Sequence, residues 1–194
     1  MIKKEFLDAK EKALKSLEKA CTEKKADKEI LPILSLINDS EECYTSSSCA
    51  GRIVLLEIPS IGDKKRAEFL GKWHRTIEPS EVETAAAKAK NGLLWLIAQS
   101  PIIHIVADTS KTADKIVKTA IASGFKNSGI KSIKRKIVVE VCSTERLDAP
   151  IGRDGFLFCK ENYLQLLVDI SNQILEKSID KLLRFEDKLR NIFG

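Results

Sequence analysis

The segment Thr45-Ser46-Ser47-Ser48-Cys49-Ala50-Gly51-Arg52 gathers groups with chemical capacity. Small hydroxylated residues let a ligand approach the main chain, and their amides can meet an anion. Arg52 adds a planar fork suited to carboxylate or phosphate. Cys49 would be a nucleophile only with a lowered pKa, and no His or Lys stands beside it in sequence to lower it. Its other reading is a small residue packed beside a strand. The whole segment also reads as a serine-rich turn closed by a surface arginine. His104 lies inside Ile102-Ile103-His104-Ile105-Val106. There it is either a hydrogen-bonded core residue or a proton acceptor for a ligand nitrogen.

Further along, Phe125 and Lys126 precede Lys131, Lys134, Arg135 and Lys136. Like charges placed together suit a phosphate backbone, although lysines also guard sheet edges. Trp73 is a candidate platform for stacking on a base, whereas Trp95 lies in an apolar run and reads as core. Neither a GxGxG after a strand nor a GxxxxGK[ST] loop occurs, so the Rossmann and P-loop fingerprints are missing. The five cysteines form no CxxC, and the two histidines, His74 and His104, are not paired at metal spacing. The chemistry therefore reads as metal-free.

The elements that must position these groups follow from periodicity. Ile2, Phe6, Ala9, Ala13, Leu14, Leu17 and Cys21 mark a first helix, and residues 29–38 a short second one. Tyr44–Arg52 is small, polar and neither helical nor strand-like in period. Ile53–Ile58 reads as a buried strand, 59–66 as a turn, and Phe69–Ile77 as a returning strand. A helix over Pro79–Asn91 is followed by strands Leu93–Ala98 and Ile102–Val106. Asp108-Thr109-Ser110 caps a helix that runs to Ala122, where Ser123-Gly124 stops it. Ile137–Val141 reads as a strand, Asp148–Gly155 as a loop and Phe156–Cys159 as a short strand. From Phe156 to Phe193 there is no Gly or Pro, and Leu164, Leu167, Val168, Ile174, Ile179, Leu182, Leu183 and Leu189 mark a long amphipathic helix.

Two adjacent strand pairs lack an intervening helix. The expected class is therefore α+β or α/β, with a mixed sheet flanked by helices and a long C-terminal helix. One domain is expected over residues 1–194, divided into an N-terminal helix and linker (1–26), a mixed-sheet core (27–160) and a C-terminal helix (161–194). Apolar residues make up 43% and charged residues 31%, which excludes wholesale disorder. The net charge of +5 is modest, so its placement matters more than its size. The longest apolar run, Leu93–Ala98, falls far short of the roughly 20 residues that a bilayer span needs. The N-terminus has no apolar signal region, so a cytoplasmic protein is expected.

Several blocks, taken in order, go further. They are Ser47-Ser48-Cys49-Ala50-Gly51-Arg52-Ile53, Ser100-Pro101-Ile102-Ile103-His104 and Ser123-Gly124-Phe125-Lys126-Asn127-Ser128-Gly129-Ile130. Cys142-Ser143-Thr144, Arg146-Leu147-Asp148-Ala149-Pro150 and Tyr163 follow. This series resembles the tRNA wybutosine-synthesis methyltransferase family, whose members N-methylate the tricyclic wyosine base. The resemblance runs from about Asp27 into the C-terminal helix. It implies S-adenosyl-L-methionine as donor, a fold other than the Rossmann methyltransferase fold, and methylation at N4. The substrate it implies is 7-aminocarboxypropyl-demethylwyosine at position 37 of tRNA(Phe), beside the anticodon.

On this reading His104 is the base. Glu78 is second, because Ile77-Glu78 stands where the family shows a hydroxyl residue and a histidine. Ser46, Ser48, Cys49, Gly51 and Arg52 form a pocket for the donor's aminocarboxylate or the substrate's polar tail. Trp73 stacks on the modified base. Lys126, Ser128, Lys134, Arg135 and Arg146 hold the tRNA. The protein is expected to be a monomer or weak homo-oligomer. The alternative is a non-catalytic module that binds the modified anticodon loop.

Overall fold

The computed structural model describes residues 3–63 and 65–193, so Ile2 of the expected first helix lies outside the described residues. The chain opens with helix α1 (Lys3–Thr22), a 3-10 turn (Lys28–Ile30) and helix α2 (Leu31–Asp39). Strands β1 (Cys43–Cys49), β2 (Arg52–Ile58) and β3 (Glu68–Trp73) follow, then helix α3 (Pro79–Ala86). Strands β4 (Leu93–Gln99) and β5 (Ile102–Ala107) lead to helix α4 (Ser110–Ala122). The last strands are β6 (Gly129–Ser132), β7 (Ile137–Cys142), β8 (Arg146–Arg153) and β9 (Phe156–Leu157), before helix α5 (Glu161–Phe193).

These elements form two compact units that alternate along the sequence. The first holds Met1–Ala50, Pro101–Thr144 and Ser178–Gly194; the second holds Gly51–Ser100 and Glu145–Lys177. The first is built on a sheet of order β1-β5-β7-β6, the second on a sheet of order β3-β2-β4-β8-β9. The α+β class and the long C-terminal helix are as expected. Among the described residues every strand pairing is antiparallel, so two antiparallel sheets stand where one mixed sheet was expected.

In the first unit one sheet face carries Ile103, Ile105, Val139 and Val141, all buried. They form a core with Ile33, Leu34 and Ile37 of α2, Ile116 of α4, Phe125, and Leu182, Phe185 and Leu189 of α5. Each such side chain, fully buried, contributes roughly 1.5–3 kcal/mol. The other face receives α1 at one end, where Phe6 meets Tyr44 edge-on with ring centroids 5.2 Å apart. Helix α4 begins as its sequence predicts, with the Thr109 hydroxyl accepting the Thr112 amide at 3.2 Å. Gly124, with φ of 105°, follows its end.

In the second unit Ile53, Leu55, Leu94, Leu96 and Ala98 share a sheet face, packed with Val82 of α3 and with Leu164, Leu167 and Val168 of α5. The opposite face carries Arg52, Gln99 and Arg146 in one cross-strand row. Asn172 clamps the chain before α3 by accepting from the Ile77 amide and donating to its carbonyl, both at 2.9 Å.

Two segments read as loops are strands. Residues 43–49 pair with β5, and their polar half is tolerated because β1 is a sheet edge. Residues 146–153 pair with β4 and β9, and Pro150 sits beside a register shift, where a missing amide costs least. The turn itself is Asp154-Gly155, with φ of 52° and 82°, as a tight hairpin requires. Helix α3 and strand β3 also end earlier than their patterns suggest, at Ala86 and Trp73. Among the described residues no helix is long and apolar enough to cross a membrane.

Candidate active site and nucleic-acid interface

The first unit places a row of polar side chains across its sheet, on the face opposite the core. Ser47, His104 and Glu140 are successive cross-strand partners on β1, β5 and β7. The Ser47 hydroxyl lies 2.9 Å from Nδ1 of His104, and Nε2 lies 3.0 Å from Oε2 of Glu140. Lys131 closes the row, donating to Oε1 of Glu140 at 2.8 Å. That ammonium, with His104 second, holds the Glu140 carboxyl below the usual carboxylate range, and the carboxylate in turn raises Lys131. His104 is therefore not a sealed core residue: its side chain is 30% exposed, and Ser47 is exposed.

An ionised Glu140 accepts the hydrogen of Nε2, which leaves the lone pair of Nδ1 facing the Ser47 hydroxyl. A neutral imidazole so oriented is a base with a defined target. Three of the five thiols, Cys43, Cys142 and Cys159, offer no competing chemistry. Burial pushes Cys43 up to about 11 and also raises Cys142 and Cys159, which keeps all three protonated at neutral pH.

Ser46 is the residue at a β-bulge between Thr45 and Ser47. The bulge breaks the alternation, so three consecutive serines are all exposed. The segment stays in place because Asn38 is buried beneath it: its Oδ1 accepts the Thr45 amide at 2.8 Å, and its Nδ2 donates to the Thr45 hydroxyl at 3.0 Å. Thr45–Ser48 borders a groove of about 220 Å3 whose other wall is α1, with Lys25 and Asp27 at its rim. Asp27 also accepts the Ala50 amide at 2.8 Å. Cys49 is half-buried beside Ile102.

The basic residues of this unit are divided. Lys126, Lys134 and Arg135 are exposed, whereas Lys131 turns to Glu140. Ser128 is engaged locally, donating to the Phe125 carbonyl at 2.7 Å and accepting the Cys142 amide at 3.1 Å.

The second unit carries the remaining candidates. Gly51 has φ of 100°, a conformation that a side chain would strain. Arg52 donates to Gln99 at 3.2 Å and lies over the Phe69 ring, 5.8 Å from its centroid. Arg146 pairs with Asp148. Trp73 lies on the helix side of the sheet, its ring over Gly71, walling a groove of about 300 Å3 with Ser80, Glu81 and Lys88. Glu78 caps α3 in a reciprocal box with Glu81. Arg75 grips Glu81 at 2.7 and 3.0 Å and drives its carboxyl down to about 2.

Thus Ser46, Ser48 and His104 share one sheet region, and Arg52 and Arg146 share another. Trp73 and Arg146 fall on opposite faces of their sheet. Sequence reasoning missed Ser47 as the histidine's partner, because a bulge is invisible to alternation. It also missed Glu140, whose only signal was a carboxylate inside an apolar strand.

A family model described as Methyltransferase TYW3 matches residues 8–191. The chain is 44% identical over 185 residues to a Pyrococcus horikoshii protein named tRNA(Phe) 7-((3-amino-3-carboxypropyl)-4-demethylwyosine(37)-N(4))-methyltransferase 1, covering 95% of this chain and 94% of that one. It is 40% identical over 186 residues to the correspondingly named methyltransferase of Methanocaldococcus jannaschii, covering 95% and 96%. The solved structure of the PH1069 protein from Pyrococcus horikoshii superposes with a TM-score of 0.91 at 44% identity, covering 96% and 97% of the two chains. A hypothetical protein from Aeropyrum pernix gives 0.74 at 28% identity, covering 86% and 98%.

Proposed function

We infer, from a chain that belongs to the TYW3 methyltransferase family, that this protein methylates N4 of 7-(3-amino-3-carboxypropyl)-4-demethylwyosine at position 37 of tRNA(Phe). The observation that supports a mechanism is the hydrogen-bonded row from Ser47 through His104 to Glu140.

The acceptor nitrogen must lose a proton as its new bond forms. Ser47 takes that proton while passing its own to Nδ1 of His104. The positive charge then rests on an imidazolium beside Glu140. General-base assistance of this kind is worth about 10²–10⁴-fold. Orientation of the reactants supplies the larger part, roughly 7–11 kcal/mol. Glu78 serves its helix cap in this account, and Ser128 its turn.

A methyltransferase needs a methyl donor, and we assign S-adenosyl-L-methionine, which when bound supplies a methyl group already activated by a sulfonium. The donor set on β1 fits one end of it. Ser46, Ser48 and Lys25 suit a carboxylate, and Asp27 suits an ammonium. Small-molecule sites begin near roughly 300 Å3, so a groove of about 220 Å3 takes the aminocarboxylate rather than the whole donor. Cys49 shapes the main chain there, whereas Gly51 and Arg52 belong to the second unit, where Arg52 is assigned to an acidic group of the substrate. Lys126, Lys134, Arg135 and Arg146 meet tRNA phosphates, and Trp73 is assigned to packing over Gly71. The protein acts in the cytoplasm, where its substrate is.

The test is incorporation of one methyl group into tRNA(Phe) carrying the 4-demethyl base, with the already methylated tRNA as control. Incorporation confined to the first supports the reading. Tight tRNA binding with no donor consumption would replace it with the non-catalytic module.

A further inference from the structure

We propose that the outer face of strands β8 and β9 is a stacking platform for unpaired nucleotides of the tRNA anticodon loop. Phe156 and Phe158 are 73% and 75% exposed. Phe156 opens the edge strand β9 and Phe158 follows its last residue, its amide still donating to the Ile151 carbonyl of β8 at 2.9 Å, with Leu157 between them turned into the core. Both rings therefore stand on one side of the sheet, the side facing away from α3 and α5. Such exposure is costly for phenylalanine unless something covers it, and elsewhere Phe6, Phe125 and Phe185 are buried.

The chemistry of the surroundings selects RNA. Arg153 is the direct cross-strand partner of Phe156, and Lys160 follows Phe158; both are exposed. Rings flanked by cations attract a polyanion whose bases have π faces, whereas a purely apolar partner would leave those charges unpaired. At the other edge of the same sheet face, Phe69 is 57% exposed and lies under Arg52. Pairs of this kind recur where single-stranded RNA is held by stacking and phosphate contact together. The proposal rests on the tRNA reading above: a base modified within a loop has unpaired neighbours that an enzyme must hold aside.

The experiment measures binding of the tRNA(Phe) anticodon stem-loop across a salt series. The wild type is compared with Phe156→Ala/Phe158→Ala, Phe156→Tyr/Phe158→Tyr and Arg153→Ala. The double alanine variant is expected to weaken binding about tenfold or more with an unchanged salt slope. The tyrosine variant should stay within about twofold of wild type, because its rings still stack. Arg153→Ala should lower the salt slope by about one. Thermal unfolding of each variant verifies the fold, and these side chains are exposed.

Unchanged affinity in the double alanine variant overturns the proposal. So does a wild-type dimer in sedimentation that this variant dissolves with RNA affinity intact, which assigns the face to a second copy. If the wild type methylates tRNA and the variants bind equally, only the platform fails. If the wild type neither binds nor methylates, the reading beneath it fails as well.

Discussion

Replacing His104 with asparagine keeps much of the side chain's volume and removes its basicity. Single-turnover methylation should fall by about 10²–10⁴-fold, and a rate within threefold would dismiss the proton path. Glu140 gives a second test, with a sign. Its carboxyl is held low chiefly by Lys131, so its stabilising contacts persist above the ordinary carboxylate range and are lost as pH falls through the lowered value. In a carbon-detected NMR titration, Lys131→Met should move the Glu140 midpoint upward; an unmoved midpoint would show that the ion pair is not formed in solution. Of this row, only His104 was legible in the sequence as a candidate base. Glu140 stands 36 residues away, and no local pattern reports which strands pair. Ser46 and Ser48 drew attention ahead of Ser47 because nothing in three equal serines reveals which one a bulge turns toward the ring.

Elements were legible where one local signal dominated. The cap and stop of α4 and the Gly- and Pro-free run of α5 fixed those helices well. Strand β1 was not legible, because serines are poor strand formers and only the edge position and buried Asn38 hold them extended. Strand β8 hid behind Pro150 and Gly152, which alone read as turn residues. Gly152 has a packing reason for its identity, since an added Cβ would fall 2.1 Å from the Phe156 carbonyl oxygen. Gly71 is the analogous case in β3, where a Cβ would fall 2.1 Å from the Trp73 ring. Gly71→Ala should therefore displace that indole, destabilise the protein by about 1–3 kcal/mol and shift its tryptophan emission. An unchanged denaturation midpoint and spectrum would mean that the ring is not packed over the glycine.

At the scale of the molecule, a net charge of +5 says little until its placement is known. Lys134→Ala/Arg135→Ala should weaken tRNA binding at all sequences alike and lower the salt slope by up to about two. An unchanged slope would remove this loop from the interface. Composition set the class of the protein, and the ordered motif blocks its family. The division into two units was beyond either, because it depends on which distant segments pair. The chain passes between them after Ala50, Ser100, Thr144 and Lys177. Neither unit is a continuous stretch, so no single cut releases one of them whole. The last of these passages lies within α5 itself, and a ribosome must finish that helix's last turns, with Leu182, Phe185 and Leu189, before the first unit can close. Products that stop before Leu182 therefore leave Ile103, Ile105 and Phe125 without part of the layer that covers them.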